Sequence, residues 1–161
     1  ALDETRLEGE QPSAMVARLS QAKAARVAAR HAGALVIGSD QTATLDGETL
    51  GKPGNPARAA AQLSACSGRE VVFYTGLCLK TPDREFTHLD ETRVVFRHLG
   101  RDEIARYLEA EQPYQSAGSF KVEGLGISLF DAIHAEDPTA LIGLPLLALC
   151  RLLRQAGVSL P

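Results

Sequence analysis

The sequence predicts one α/β domain over residues 1–161, in which a mixed, twisted sheet carries helices on its faces. Helical periodicity alternates with short apolar runs that are typical of strands. Several of these runs follow one another closely enough to form hairpins, whereas others are separated by a helix. Hairpins make neighbouring strands antiparallel and helical connections make them parallel, so we expect both directions in the sheet.

The first predicted elements are a helix and a buried strand. Apolar residues at helical spacing predict a helix over residues 11–33, with Ser13 as its N-cap and Gly33 at its end. The apolar run at 34–40 then predicts a strand that delivers its polar last residues to an edge of the sheet.

A hairpin and a second helix follow. Asp46 and Gly47 suit a type I′ turn, which predicts a hairpin between residues 42–45 and 48–50. Asn55 lies before a proline, a pairing typical of a helix start, and predicts a helix over 56–64.

In the second half of the chain we predict two strands, at 70–80 and 85–96, and then an amphipathic helix at 101–111. A glycine-rich turn at 124–126 and an apolar helix at 145–156 follow.

Composition excludes several classes of protein. Apolar residues make up 45% and charged residues 23%, as in ordinary globular chains, and the formal net charge is −3. No long basic run is present, which argues against a nucleic-acid polymer as partner but leaves room for a small anion. The longest apolar stretch, 141–150, is too short to span a bilayer, which argues against a membrane role.

The cysteines indicate a reducing environment. Cys66, Cys78 and Cys150 are odd in number, far apart and set in apolar segments. No Cys-x-x-Cys spacing supports a metal cluster. We therefore expect reduced thiols and a cytoplasmic protein.

Asp40 is the first candidate for chemistry, because it ends the predicted buried strand after Gly38 and Ser39. In α/β proteins, reactive groups are often placed at such strand ends. A carboxylate there could bind a divalent metal or polarise a water. It could equally cap a turn, and the spacing leaves both interpretations open.

Two lysines could contact a phosphate. Lys52 follows Gly51 after the hairpin and could act as a point charge, although a solvated turn lysine is the simpler interpretation. Lys23 lies within the first predicted helix, where it could point into a cleft or extend its stem over apolar surface.

Two acidic regions complete the candidates. Asp3 and Glu4 could join Asp40 in holding a hard cation such as Mg²⁺, or could simply be solvated. Glu123 could accept hydrogen bonds from the N1 and N2 donors of guanine, and Lys121 could meet a charge. The alternative for this region is a glycine-rich connection with exposed charges.

The order of these segments resembles the Maf family, whose members are also called septum formation inhibitors. The matching segments are 3–5, the predicted helix that carries Lys23, 36–41, 45–47, 51–53, 67–68, 73–76, 117–118, 123–124 and 143–145. The resemblance implies an elongated α/β fold like that of the inosine triphosphate pyrophosphatases, commonly dimeric. It also implies hydrolysis of a nucleoside triphosphate to a monophosphate and pyrophosphate, with Mg²⁺ or Mn²⁺ as the cofactor.

Finer details resemble the members that prefer 7-methyl-GTP. They lie in segments 38–41, 73–77, 96–99, 117–121, 123–124, 137–138 and 143–146. By this resemblance Gln41 and Glu123 would be the specificity residues. An acidic side chain suits this base, because methylation at N7 leaves the guanine ring cationic.

The resemblance also implies catalytic roles. Asp40 would be the catalytic carboxylate, acting as general base or as a metal ligand. Lys23 and Lys52 would offset charge on the leaving pyrophosphate, and Glu4 would join Asp40 near the metal.

The sequence departs from the family pattern at one loop, and two alternative functions stay open. Family members carry a Ser-x-Ser-x-Arg-Arg type of loop before the segment that matches residues 3–5, and we expect this chain to lack it. If the natural protein also lacks this loop, we expect its activity to be weak or absent, because lysine cannot replace the bidentate donors of arginine. The alternatives are a non-catalytic nucleotide-binding module linked to cell division, and a pyrophosphatase for dTTP or UTP.

Overall fold

A computed structural model describes residues 2–161, which form four α-helices and five β-strands. The helices are α1 (Pro12–Ala28), α2 (Pro56–Cys66), α3 (Arg101–Glu111) and α4 (Leu146–Gln155). The strands are β1 (Val36–Leu45), β2 (Glu48–Leu50), β3 (Glu70–Lys80), β4 (Glu85–Phe96) and β5 (Phe130–His134). The predicted α/β class is confirmed. Among residues 2–161, each helix is too short or too polar to span a bilayer.

The strands form one sheet in the order β2-β1-β3-β4-β5. β2 pairs with β1, and β5 with β4, in the antiparallel direction. β1 and β3 also run in opposite directions, since Ser39 contacts Gly76 whereas Thr44 contacts Val72. A hydrogen bond from Thr81 N to the Arg84 carbonyl closes the hairpin of β3 and β4.

We expected both parallel and antiparallel neighbours in the sheet, but its neighbouring strands are antiparallel. The helix α2 does connect two strands of the same direction, β2 and β3. These strands are not neighbours, because β1 lies between them. The helical connection thus occurs as predicted without placing parallel strands side by side.

Local sequence signals set the hairpin and the second helix as predicted. Asp46 and Gly47 both have positive φ, 51° and 80°, which is the type I′ conformation. The turn fixes a register in which Ala43 pairs with Leu50. The Asn55 side chain accepts a hydrogen bond from the backbone N–H of Arg58 and caps α2.

The boundaries of α1 and β1 differ from prediction. α1 starts at Pro12 with Gln11 as its N-cap residue, so Ser13 lies inside the first turn and is not the cap. The helix ends at Ala28 because residues 29–33 form turns. β1 continues to Leu45, since the predicted strand runs directly into the hairpin.

The chain forms two compact units. The first contains the described residues up to Gln41 together with Tyr74–Glu91 and Asp137–Pro161, and the second contains Thr42–Phe73 and Thr92–Glu136. The expectation of a single domain stays a prediction. In the first unit, α4 packs on β3 through a cluster of buried apolar side chains: Leu77, Leu79, Ala148, Leu149 and Leu152.

Aromatic side chains build the core of the second unit. Four phenylalanines meet edge to face with ring centroids 4.9–5.4 Å apart, and they are Phe73, Phe96, Phe120 and Phe130. Edge-to-face pairs are a favoured arrangement of aromatic rings. The helices α2 and α3 also pack against each other in this unit.

Candidate active site

Two glycines let α1 lie directly on the strands of the first unit. A Cβ atom added to Gly38 would lie 2.2 Å from the carbonyl oxygen of Ser20, and one added to Gly76 would lie 2.3 Å from that of Val16. Val16 and Ser20 are one helical turn apart, so a single face of α1 contacts both strands. The close approach requires glycine at both strand positions.

This contact brings Lys23 to Asp40. Lys23 follows Ser20 on α1, and Asp40 lies two residues after Gly38, on the same face of β1. The Lys23 Nζ atom lies 2.6 Å from Asp40 Oδ1 and 3.0 Å from Glu4 Oε1. The Asp40 side chain is 12% exposed and that of Glu4 is 56% exposed. Three of the predicted site residues therefore form one cluster, with the lysine between two acids.

Burial and hydrogen bonding shift the pKa values of this cluster in opposite directions. Burial raises the pKa of Asp40 above its usual value, although the hydrogen bond from Lys23 opposes the rise. Burial would lower the pKa of Lys23, but hydrogen bonds to Asp40 and Glu4 outweigh it and raise that pKa. The lysine is therefore charged at neutral pH. The raised pKa makes Asp40 a better proton acceptor than an exposed aspartate.

The same acids fit a divalent cation. Among residues 2–161, no group of three or more His, Cys, Asp and Glu side chains could hold a metal. Mg²⁺ is commonly bound by one or two carboxylates, with waters and substrate phosphates as its other ligands. Asp40 and Glu4 already converge on one cation, the Lys23 ammonium. Their donor set is thus sufficient for a metal that the substrate helps to bind.

The segment that carries Glu4 is fastened to α1 by Arg18. This guanidinium donates to both carboxylate oxygens of Glu10, at 2.6 and 2.8 Å, and to the carbonyl of Thr5 at 3.1 Å. The hydrogen bond from Arg18 lowers the pKa of Glu10 to about 2. Asp3, the other predicted acid, is exposed and accepts a hydrogen bond from the Thr5 N–H. Sequence reasoning missed Arg18 and Glu10, because Glu10 lies before α1 and Arg18 within it, so no spacing rule for a single helix pairs them.

Gln41 lies on the other face of β1, since side chains alternate along a strand. Its Nε2 atom donates to Thr75 Oγ1 and to the carbonyl of Ala140, both at 2.9 Å. These partners belong to the protein itself. The specificity role expected from resemblance stays a prediction.

In the second unit, Lys52 is exposed on a loop whose backbone is fixed. Gln62 donates from Nε2 to the Gly51 carbonyl at 2.9 Å, and the Gly54 N–H donates to the Tyr114 carbonyl at 2.9 Å. The Lys52 side chain, exposed on this held loop, can meet a ligand as a point charge.

Glu123 is exposed on a loop that α3 holds in place. The Lys121 N–H donates to the Tyr107 hydroxyl at 3.2 Å, and the Leu125 N–H donates to Glu111 Oε2 at 2.7 Å. Burial raises the pKa of Tyr107 to about 12, so its hydroxyl is neutral. Tyr107 and Glu111 are four residues apart on α3, a spacing that places both on one helix face and could have identified them.

This chain is similar to known proteins over nearly its whole length. The family model described as Maf-like protein matches residues 1–156. A 7-methyl-GTP pyrophosphatase of Xanthomonas oryzae pv. oryzae (strain MAFF 311018) is 60% identical over 160 residues, covering 99% of this chain and 84% of the relative. Proteins of the same name from Burkholderia thailandensis and Cupriavidus metallidurans are 56% and 52% identical, over 99% and 97% of this chain and 76% and 79% of their own lengths. Because the family model spans nearly the whole chain, the chain belongs to the Maf-like protein family.

Proposed function

We propose that this chain hydrolyses 7-methyl-GTP to the nucleoside monophosphate and pyrophosphate. The observation that carries the proposal is the 60% identity, over 99% of the chain, to a relative named 7-methyl-GTP pyrophosphatase. The cluster of Lys23, Asp40 and Glu4 supports it, because a largely buried carboxylate beside a cation suits a reaction on phosphates.

The reaction adds one water across the anhydride between the α and β phosphates. Asp40 accepts the proton of the attacking water, a role that its raised pKa favours. Negative charge builds on the departing pyrophosphate, and the Lys23 ammonium offsets it. Lys52 contributes a second positive charge toward phosphate oxygens.

A divalent cation, Mg²⁺ or Mn²⁺, belongs to this proposal. Asp40 and Glu4 would hold it, because these two acids converge on one point of positive charge. When bound, such an ion lowers the pKa of a water and neutralises phosphate charge.

Glu123 is proposed to recognise the base. A carboxylate can accept hydrogen bonds from both N1–H and N2–H of guanine. It also attracts the positive charge that N7 methylation places on the ring. The exposed position of Glu123 on a braced loop supports this role.

We further propose a cytoplasmic homodimer that removes modified nucleotides. Three free cysteines, two of them buried, support a reducing compartment. The dimer and a link to septum formation rest on the family resemblance.

The test compares pyrophosphate release by the wild type and Asp40→Asn, with 7-methyl-GTP, GTP, dTTP and UTP in the presence of Mg²⁺. We expect 7-methyl-GTP to be preferred and the variant to lose a factor of about 10² to 10⁴ in kcat. Asp83→Asn, at an exposed aspartate in the turn between β3 and β4, is the matched control.

Two outcomes would contradict the proposal. Nucleotide binding without metal-dependent release would identify a binding module instead of an enzyme. A preference for dTTP or UTP would assign the chain to the other substrate class.

A further inference from the structure

The two residues that flank Asp40 are both tied to one distant segment. The Ser39 hydroxyl oxygen lies 2.9 Å from the carbonyl oxygens of Gly76 and Gly143. The Gln41 amide nitrogen lies 2.9 Å from the carbonyl of Ala140 and 3.3 Å from that of Leu141. The strand is thus held on one face by α1 and on the other by residues 140–143.

Residues 140–143 belong to a longer segment, whose two ends are joined by hydrogen bonds to the buried side chain of Asp137. Asp137, 4% exposed, accepts hydrogen bonds from the Thr139 N–H at 2.9 Å and the Thr139 hydroxyl at 2.6 Å. Its other oxygen accepts from the Leu147 N–H at 2.8 Å. The Thr139 hydroxyl in turn accepts from the Leu146 N–H at 2.8 Å. We call residues 137–147 the clamp segment.

Asp137 is well suited to hold this segment. Burial by itself would raise the pKa of Asp137, but hydrogen bonds from Thr139, Leu147 and Ala148 outweigh it and lower the pKa. The acid is therefore charged, and hydrogen bonds to a charged acceptor are stronger than those between neutral groups. Its two oxygens link the start of the clamp segment to the first turn of α4, which fixes the carbonyls that face β1.

The hydrogen-bond inventory of Gln41 limits what else this residue can do. A glutamine amide has two N–H donors. Three oxygens lie within 3.3 Å of the Gln41 nitrogen, from Thr75, Ala140 and Leu141. The protein itself therefore satisfies both donors, and neither is left to recognise a nucleobase.

We propose that Gln41 and Thr139 are positioning residues, which act through the clamp segment to hold Asp40 in place for the reaction. The N–H donors of Gln41 then do not select the base, in contrast to the role that resemblance implies. This inference rests on the proposed function, because it assigns the reacting carboxylate to Asp40. Displacing a reacting group by about 1 Å can reduce a rate by roughly a hundredfold.

The first test is Gln41→Met, which keeps the side-chain length and removes the amide. We expect kcat to fall by about tenfold or more on 7-methyl-GTP, GTP and UTP alike, with KM changed less than about twofold. The ratio of kcat/KM between 7-methyl-GTP and GTP should stay constant. Gln155→Met, at an exposed position in α4, is the matched control. A changed ratio would overturn the inference in favour of base selection.

The second test uses Thr139, which lies outside the proposed chemistry. Thr139→Val removes the hydroxyl that joins Asp137 to Leu146, whereas Thr139→Ser retains it. We expect the valine variant to lose kcat and to exchange the amide hydrogens of β1 faster, and the serine variant to match the wild type in both. Equal kcat and equal exchange in the two variants would overturn the inference.

Turnover by the wild type shows whether the proposed function has failed or only the positioning inference. If the wild type releases no pyrophosphate from any nucleotide, the proposed function fails and this inference fails with it. If the wild type is active and both Gln41→Met and Thr139→Val keep its kcat, only the positioning inference fails.

Discussion

The ammonium nitrogen of Lys23 lies 2.6 Å from Oδ1 of Asp40, so a cation of the protein itself neutralises the carboxylate that we assign to catalysis. Glu4 approaches the same nitrogen at 3.0 Å. A divalent metal that binds these two acids must therefore compete with the lysine.

Lys23→Met should strengthen metal binding in the absence of nucleotide. Removing the competing ammonium frees both carboxylates, and we expect Mn²⁺ affinity to rise by roughly fivefold, which corresponds to about 1 kcal/mol. Titration calorimetry with Mn²⁺ measures this directly. Lys80→Met, which removes an ion pair with Glu85 elsewhere in the first unit, is the control. Unchanged or weaker Mn²⁺ binding by Lys23→Met would refute the competition.

Gly38→Ala should destabilise the fold and separate Lys23 from Asp40. The new methyl group would lie 2.2 Å from the Ser20 carbonyl, so α1 must move away from β1. We expect a loss of about 1–3 kcal/mol in the free energy of unfolding, measured by urea denaturation. Gly51→Ala serves as the control, because nothing lies within 4 Å of its added Cβ. Equal stability of the two variants would show that α1 is not in backbone contact with the strand.

Glu10→Gln should remove a stabilisation that depends on pH. The pKa of Glu10 is about 2 in the folded chain and 4.5 without its partners. A folded pKa below the unfolded one stabilises the fold above pH 4.5, and this contribution disappears as the pH falls toward 2.

Thermal unfolding of the wild type and Glu10→Gln from about pH 7 to about pH 3 tests this dependence. The melting temperature of the variant should be lower near neutrality, and the difference should shrink on acidification. Glu8→Gln, at an exposed position in the same segment, is the control. A difference that is constant with pH would mean that the Arg18 contact does not perturb Glu10.

Glu123→Gln should reduce the preference for the methylated base. The amide keeps one acceptor but loses the negative charge that attracts the cationic ring. We expect the ratio of kcat/KM for 7-methyl-GTP over GTP to fall by roughly tenfold, about 1.4 kcal/mol. Glu109→Gln, at an exposed position on α3, is the control. A constant ratio would remove Glu123 from base recognition.

The elements that could be predicted are those whose conformation is set by residues adjacent in the sequence. Asp46-Gly47 favours a type I′ turn, and Asn55 before a proline supplies both the cap and the first residue that a helix start prefers. The end of α1 was predicted five residues too late. Alanines continue to favour helix up to Gly33, and only the packed structure selects the point where the chain turns.

The partners within the site could not be predicted, because they depend on packing between distant elements. Resemblance identified Asp40 and Lys23, but it did not show that their side chains contact each other across 17 positions of the chain. Gln41 and Ala140 are 99 positions apart, so no spacing rule links them. Such contacts follow from where α1 and the clamp segment lie on the strand, which glycines and backbone carbonyls determine.

The division of the chain into two units has a consequence for how such a protein can be shortened or recombined. The strands β1, β3 and β4 each contribute residues to both units. Each unit is therefore assembled from separate stretches of the gene, and no single continuous fragment encodes either one. A single crossover between two relatives therefore cannot replace one whole unit and leave the other unit unchanged.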